Sequence, residues 1–290
     1  MFLGLNNLSS FAMYHYMKIS ALFFSVFFLL GGSLVDAAKV EIIQVPSAKM
    51  EKKIPATLIL PDAYSERESE KFPVLYLLHG AGGNHASWNQ STQCAQLADK
   101  YEFIILCPDG GSTSWYYDSP IDPAYQYETH VADECVQYMD NNYRTRANRG
   151  SRAISGMSMG GHGAIYLAIR HPDTFGTSVC LMGGVDIRPF PNNWEIKKRL
   201  GDMNKHRKNW EEHTVINQAK KLKDEEIKIV LDCGRGDFFL QVNRALHMQL
   251  LKDGISHIYE EHAGAHNWQF CKEAIERQFP YIATQFARNR

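Results

Sequence analysis

The chain has 290 residues, of which 44% are hydrophobic, 12% aromatic and 22% charged, fractions that exclude a disordered, collagen-like or coiled-coil protein. The formal net charge of -1 leaves no basic excess to neutralise a phosphate backbone, which argues against a dedicated nucleic-acid binder.

Ile19 to Leu30 is an almost unbroken apolar run. Lys18 precedes it, Gly31, Gly32 and Ser33 follow, and Val35-Asp36-Ala37 offers a small-residue cleavage site. That order predicts a signal peptide over residues 1–37 and a secreted or periplasmic protein. The run is short for a spanning helix, which takes about 20 apolar residues; an uncleaved anchor is the rival reading, and no membrane contact is expected after cleavage. All six cysteines lie beyond this segment and none forms a C-x-x-C pair, so zinc-ribbon and thioredoxin chemistry are poorly supported. They read as small buried apolar residues. Export leaves room for a disulfide, whose pairing the sequence does not specify.

Val40 to Val45 and Ile54 to Leu60 predict two opening strands in an antiparallel hairpin. Pro73 to Leu78 and Glu102 to Cys107 are short, wholly apolar runs that suit strands covered on both faces. Arg152 to Ser155, Thr177 to Met182, Ile227 to Leu231 and His257 to Glu261 complete the set. Helix-patterned stretches lie between them: Thr92 to Lys100, Glu128 to Asn141, Gly160 to Arg170, Phe239 to Lys252 and Trp268 to Gln285. The alternation predicts an α/β fold with a mostly parallel central sheet flanked by helices. Pro189 to Trp210 reads as a polar excursion over one end of the sheet. Residues 38–290 are therefore expected to form a single domain.

Gly156-Met157-Ser158-Met159-Gly160 is a G-x-S-x-G motif between a strand and a helix, the setting of a nucleophile elbow. Side chains at 156 and 160 would collide with the neighbouring strand and helix. A structural serine in a glycine-rich turn is the plainer alternative. His79-Gly80-Ala81-Gly82-Gly83 follows an earlier strand, where hydrolases of this architecture place one oxyanion donor. The residue after the nucleophile supplies the other. Those donors are the Ala81 and Met159 amides. Without Ser158 the glycine-rich stretch would be only a flexible turn.

A nucleophilic serine needs a base and an orienting acid, in chain order Ser, acid, His. His266 follows the last strand and is the best base; His262 continues the strand pattern and is the rival. A metal site on His262 and His266 is disfavoured because Gly264 interrupts the helical spacing and no H-E-x-x-H surrounds them. Asp237 lies past two glycines after its strand and is the best acid, with Asp232, nearer the strand, as runner-up. Trp115, on an aromatic loop, and His79 are candidate substrate contacts, with local packing as the alternative for the aromatics.

Together these segments resemble the esterase D-like branch of the α/β-hydrolases, a branch that includes feruloyl, acetylxylan and tributyrin-type esterases, S-formylglutathione hydrolases and mycolyltransferases. The matching pieces are LLHGAGGNHASW from Leu77, SWYYDSP from Ser114, YETHVADECVQYMDNNY from Tyr127, GMSMGGHGA from Gly156, LDCGRGDFF from Leu231 and GAHNW from Gly264. The resemblance implies an α/β-hydrolase catalytic domain with Ser158 as nucleophile, Asp237 as acid, His266 as base, and Ala81 and Met159 as oxyanion donors, with no cofactor. It also implies a serine carboxylesterase acting on feruloyl or acetyl esters of plant cell-wall polysaccharides. Short-chain esterase and acyltransferase activities are the alternatives within the family, and a non-catalytic binding protein on the same scaffold is the alternative outside it.

Overall fold

The computed structural model describes residues 38–224 and 226–289; the predicted signal peptide lies outside them. Among the described residues eight strands join in one sheet in the order β1-β2-β4-β3-β5-β6-β7-β8; the wholly apolar runs form the buried centre, and the mixed β1 and β8 lie at its edges. β1 (Lys39–Ser47) and β2 (Lys52–Leu60) make the expected antiparallel hairpin, and β2 runs antiparallel to β4 (Ile104–Pro108). Every later pairing is parallel, through β3 (Val74–Leu78), β5 (Arg152–Met157), β6 (Thr177–Leu181), β7 (Lys228–Gly234) and β8 (His257–His262). A mostly parallel sheet flanked by helices is the expected architecture.

Two cores cover the two faces. Val74, Tyr76 and Leu78 of β3 enter one and Leu75 and Leu77 the other, the period-2 split of a strand buried on both sides. In chain order the longer helices are α1 (Cys94–Tyr101), α2 (Cys135–Asn142), α3 (Met159–Arg170), α4 (Leu240–Lys252) and α5 (Trp268–Arg288). α2, α3 and α4 pack into the first core, and α1 and α5 into the second. All six cysteines are free and buried, as small apolar residues should be.

The structure differs from expectation in two places. The helix expected over 128–141 is not uniform: a π turn, His130–Glu134, precedes α2. Buried His130 reaches Glu134 there at 2.9 Å. The Pro189 to Trp210 excursion is less polar than it reads. It contains the short helices Ile196–Leu200 and Arg207–Glu212, and Ile196, Leu200 and Trp210 are buried in the first core. Three widely spaced apolar anchors in a polar segment make no recognisable period in the sequence.

Candidate active site

Ser158 sits between β5 and α3 with φ 58 and ψ -118, backbone that an L-residue adopts only under strain. The flanking glycines permit it. A Cβ on Gly156 would lie 2.6 Å from the Gly160 carbonyl, and one on Gly160 would strike the carbonyls of Leu78 and His79. The elbow is pinned by backbone bonds: Ser158 N–H donates to Leu181 O at 3.0 Å, and Ser158 O accepts from the N–H groups of His162 and Gly184. His162 locks this corner. Its Nδ1–H donates to Gly184 O at 3.0 Å, and burial pushes its pKa down to about 3, so the ring is neutral.

The loop after β3 lies against this elbow, and a Cβ on Gly80 would sit 3.3 Å from Ser158 Cβ. Among the described residues the Ala81 N–H has no protein acceptor. Met159 is the first residue of α3, so its N–H has no intrahelical partner. His79 holds the loop. Its Nδ1–H donates to Gly80 O at 2.8 Å, its Nε2 accepts the Gly110 N–H at 2.9 Å, and Tyr116 Oη–H donates to its carbonyl at 3.1 Å. Burial lowers its pKa, which keeps the ring neutral and able to accept at Nε2.

Asp237 and His266 meet on the other side of Ser158. His266 Nδ1–H donates to Asp237 Oδ2 at 2.7 Å, and Asp237 Oδ1 accepts the Phe239 N–H at 2.6 Å. The loops that carry them are tied by Gly236 N–H to Gly264 O and Arg235 N–H to His262 O, both at 2.8 Å. The rivals are engaged elsewhere. Asp232 lies within β7, fully buried, and binds Arg277 at 3.0 Å and Gln278 at 2.9 Å. His262 ends β8 and faces Glu260 at 3.3 Å. Asp232, Glu260 and His262 come within 4.8 Å of one another, as metal ligands would, but the Gln278 amide nitrogen donates to both carboxylates.

Among the described residues no hydrogen bond joins Ser158 Oγ to His266. Packing connects them: Gly184, bonded to Ser158 O, backs onto the Phe239 ring, which lies 5.5 Å from the His266 ring. Catalytic hydrogen bonds are often long in unliganded sites.

The two expected substrate contacts are corrected by burial. His79 and Trp115 are each 1% exposed, so each supports a loop and offers no open face. Trp115 instead packs on His162 and on Trp194. Beside His266, Phe238 is exposed and Trp194, packed on it, is half-buried. Phe238 falls in the loop before the helix expected from Phe239, and Trp194 in the polar excursion, so only their packing in space, Phe238 on His266 and Trp194 on Phe238, distinguishes them.

The Esterase family model matches residues 47–282. An acetyl esterase from Caldicellulosiruptor saccharolyticus is 27% identical over 228 residues, covering 74% of this chain and 85% of that protein. S-formylglutathione hydrolase from Rattus norvegicus is 24% identical over 226 residues, covering 71% and 78% of the two chains. A solved ferulic acid esterase superposes with a TM-score of 0.75 at 25% identity, covering 87% of this chain and all of that one.

Proposed function

This chain belongs to the Esterase family, in the esterase D-like branch of the α/β-hydrolases, and is a carboxylic ester hydrolase; from that premise we propose that Ser158, His266 and Asp237 are its catalytic triad and that it cleaves feruloyl or acetyl esters of plant cell-wall polysaccharides outside the cytoplasm. Ser158 Oγ attacks the ester carbonyl carbon while its proton passes to His266 Nε2. The carbonyl oxygen becomes anionic and accepts from the Ala81 and Met159 N–H groups. His266 then gives the proton to the alcohol oxygen as the C–O bond breaks, and the alcohol departs. Water adds to the acyl carbon as its proton passes to His266. Collapse releases the acid and returns the proton to Ser158 Oγ. Asp237 holds His266 in the Nδ1–H tautomer and stabilises the imidazolium.

The observation that carries this reading is the 2.7 Å bond from His266 to Asp237, on loops at the sheet edge that also holds the strained Ser158 elbow. The acyl part rests on the named acetyl esterase and ferulic acid esterase, the polysaccharide part on the family resemblance, and the location on the apolar run from Ile19 to Leu30. A fluorophosphonate probe should label the protein at Ser158 and not label Ser158→Ala. Failure of the folded protein to label favours a non-catalytic binder. Methyl ferulate or acetylated xylan should be turned over. Activity confined to p-nitrophenyl acetate and butyrate would instead identify a general short-chain esterase. Protein recovered from outside the cytoplasm should begin near Ala38 on N-terminal sequencing.

A further inference from the structure

Directly after Asp237 the chain turns an aromatic ring outward. Phe238 is 52% exposed, yet its ring centre lies 4.2 Å from that of His266 at an interplanar angle of 36°. Trp194 stacks on Phe238 at 5.8 Å and 18°. Buried Phe239 supports both rings from beneath, 4.6 Å from Phe238 and 5.3 Å from Trp194. The two surface rings form a shelf that starts at His266.

The shelf is held in place at a cost in backbone strain. Trp194 and Glu195 have φ 46 and 55, and Trp115 and Tyr116 have φ 57 and 59. Such residues persist only where their surroundings over-determine them. Here the two loops brace each other. Trp115 Nε1–H donates to Trp194 O at 3.3 Å, Thr113 Oγ1–H donates to Glu195 Oε2 at 2.8 Å, and the two indoles pack at 5.9 Å. Tyr116 and Trp115 also support the His79 carbonyl and the His162 ring, but nothing in the Ser158, His266 and Asp237 arrangement requires Trp194 or an exposed Phe238. Exposed apolar surface rimmed by polar groups is characteristic of ligand contact, and exposed Asn192 and Asn193 directly precede Trp194.

Sheet order decides which half of an ester would lie there. The Ala81 loop follows β3 on one side of β5, whereas Asp237 and His266 follow β7 and β8 on the other. The carbonyl oxygen turns toward Ala81, and the alcohol oxygen must approach His266 to be protonated. The shelf is therefore on the alcohol side. Two broad aromatic faces gain little from a flexible alkyl chain. They suit the C–H face of a sugar ring, whose hydroxyls the neighbouring amides can bind. We propose that Phe238 and Trp194 form a binding site for the alcohol half of the ester, a sugar ring stacked on the two side chains. This rests on the triad assignment for its orientation.

Sugar binding can be tested without catalysis. Xylotriose is titrated into Ser158→Ala, with tryptophan fluorescence reporting on Trp194 and calorimetry as a second readout. Saturable binding is expected, weakened about tenfold by adding Phe238→Ala, the effect of losing one aromatic stack. An absence of saturable binding, or binding indifferent to Phe238→Ala, overturns the proposal. Failure of the triad assignment would show separately, as loss of fluorophosphonate labelling at Ser158 in the parent protein. Steady-state kinetics provide the second arm. Phe238→Ala should lower kcat/KM for acetylated xylotriose about tenfold more than for ethyl acetate, mainly through KM. A selective loss on methyl ferulate relative to methyl acetate would place the acyl group on the shelf and overturn the assignment. So would an equal loss on all four esters, which would mean that the ring only props His266.

Discussion

At the scale of single residues, two aspartates five positions apart have opposite environments. Asp237 spends both carboxylate oxygens on His266 and the Phe239 N–H, whereas Asp232 is buried against Arg277 and Gln278. Ser158→Ala and His266→Ala should each lower kcat on p-nitrophenyl acetate by about 10⁴-fold or more, and the double variant should be hardly worse, because the two act as one unit. Asp237→Ala should cost about 10²–10⁴-fold, since an unheld imidazole still samples the right tautomer. Asp232→Ala should leave kcat within a fewfold. It should lower Tm by several degrees, because Arg277 and Gln278 lose a buried partner worth about 1–3 kcal/mol. An Asp232→Ala enzyme as slow as Ser158→Ala would reverse the assignment of the acid. These candidates are legible in the sequence because Ser158, Asp237 and His266 all stand beside glycines just past a strand. Phe238 is not, because a single aromatic in a loop before a helix carries no pattern until its neighbours in space are known.

At the scale of elements, the elbow depends on how closely α3 approaches β3. The atoms that a Cβ on Gly160 would strike are backbone carbonyls, which cannot swing aside as a side chain could. Gly160→Ala should therefore push α3 and the Ser158 turn away from the Ala81 loop. The expected loss is more than about 4 kcal/mol of stability in denaturant unfolding. Any folded fraction should show reduced kcat, because the proposed oxyanion donors separate from Ser158, the proposed nucleophile. Normal Tm and kcat in this variant would contradict the packing. Strand identities are most readable in β3 and β4, whose buried runs are wholly apolar; β5 and β6 are equally buried but carry Arg152, Ser155, Thr177 and Ser178. Strand ends are less so: β7 continues through Asp232, Cys233 and Gly234, where polarity suggests a loop. The pairing of Asp232 with Arg277 and Gln278, on a helix some 45 positions later in the chain, compensates that buried charge, and no local pattern announces it.

At the scale of the whole molecule, several buried histidines impose a common pH dependence. Burial lowers the pKa of His79, His130, His162 and His213. These rings stay neutral in the fold and take up protons on unfolding, so stability is unaffected above about pH 6.5 and falls as pH drops below it. For His162, lowered to about 3, the loss should approach about 1.4 kcal/mol per pH unit between pH 6 and 4. Buried Asp232, whose pKa is raised by desolvation, opposes this as a single group. Denaturant unfolding at pH 7, 6, 5 and 4 should show the decline, and His162→Gln should flatten the slope by about that amount despite a lower stability at pH 7. An unchanged slope would show that His162 titrates normally in the fold. The position of β8 has a different consequence. Among the described residues it is one of the two edge strands, with β1 at the other edge, and its residues are half-buried or exposed, whereas β3 and β5 are wholly buried. The proposed base, His266, thus hangs from an edge of the sheet that frays readily, and the proposed nucleophile, Ser158, from its buried centre, which frays late. Inactivation should come before unfolding: in a guanidinium series, turnover of p-nitrophenyl acetate should vanish at a lower concentration than the far-ultraviolet circular dichroism. Amide hydrogens of Ile258 to Glu261 should exchange faster than those of Ala153 to Ser155. Coincident midpoints would mean that the sheet opens as a single unit.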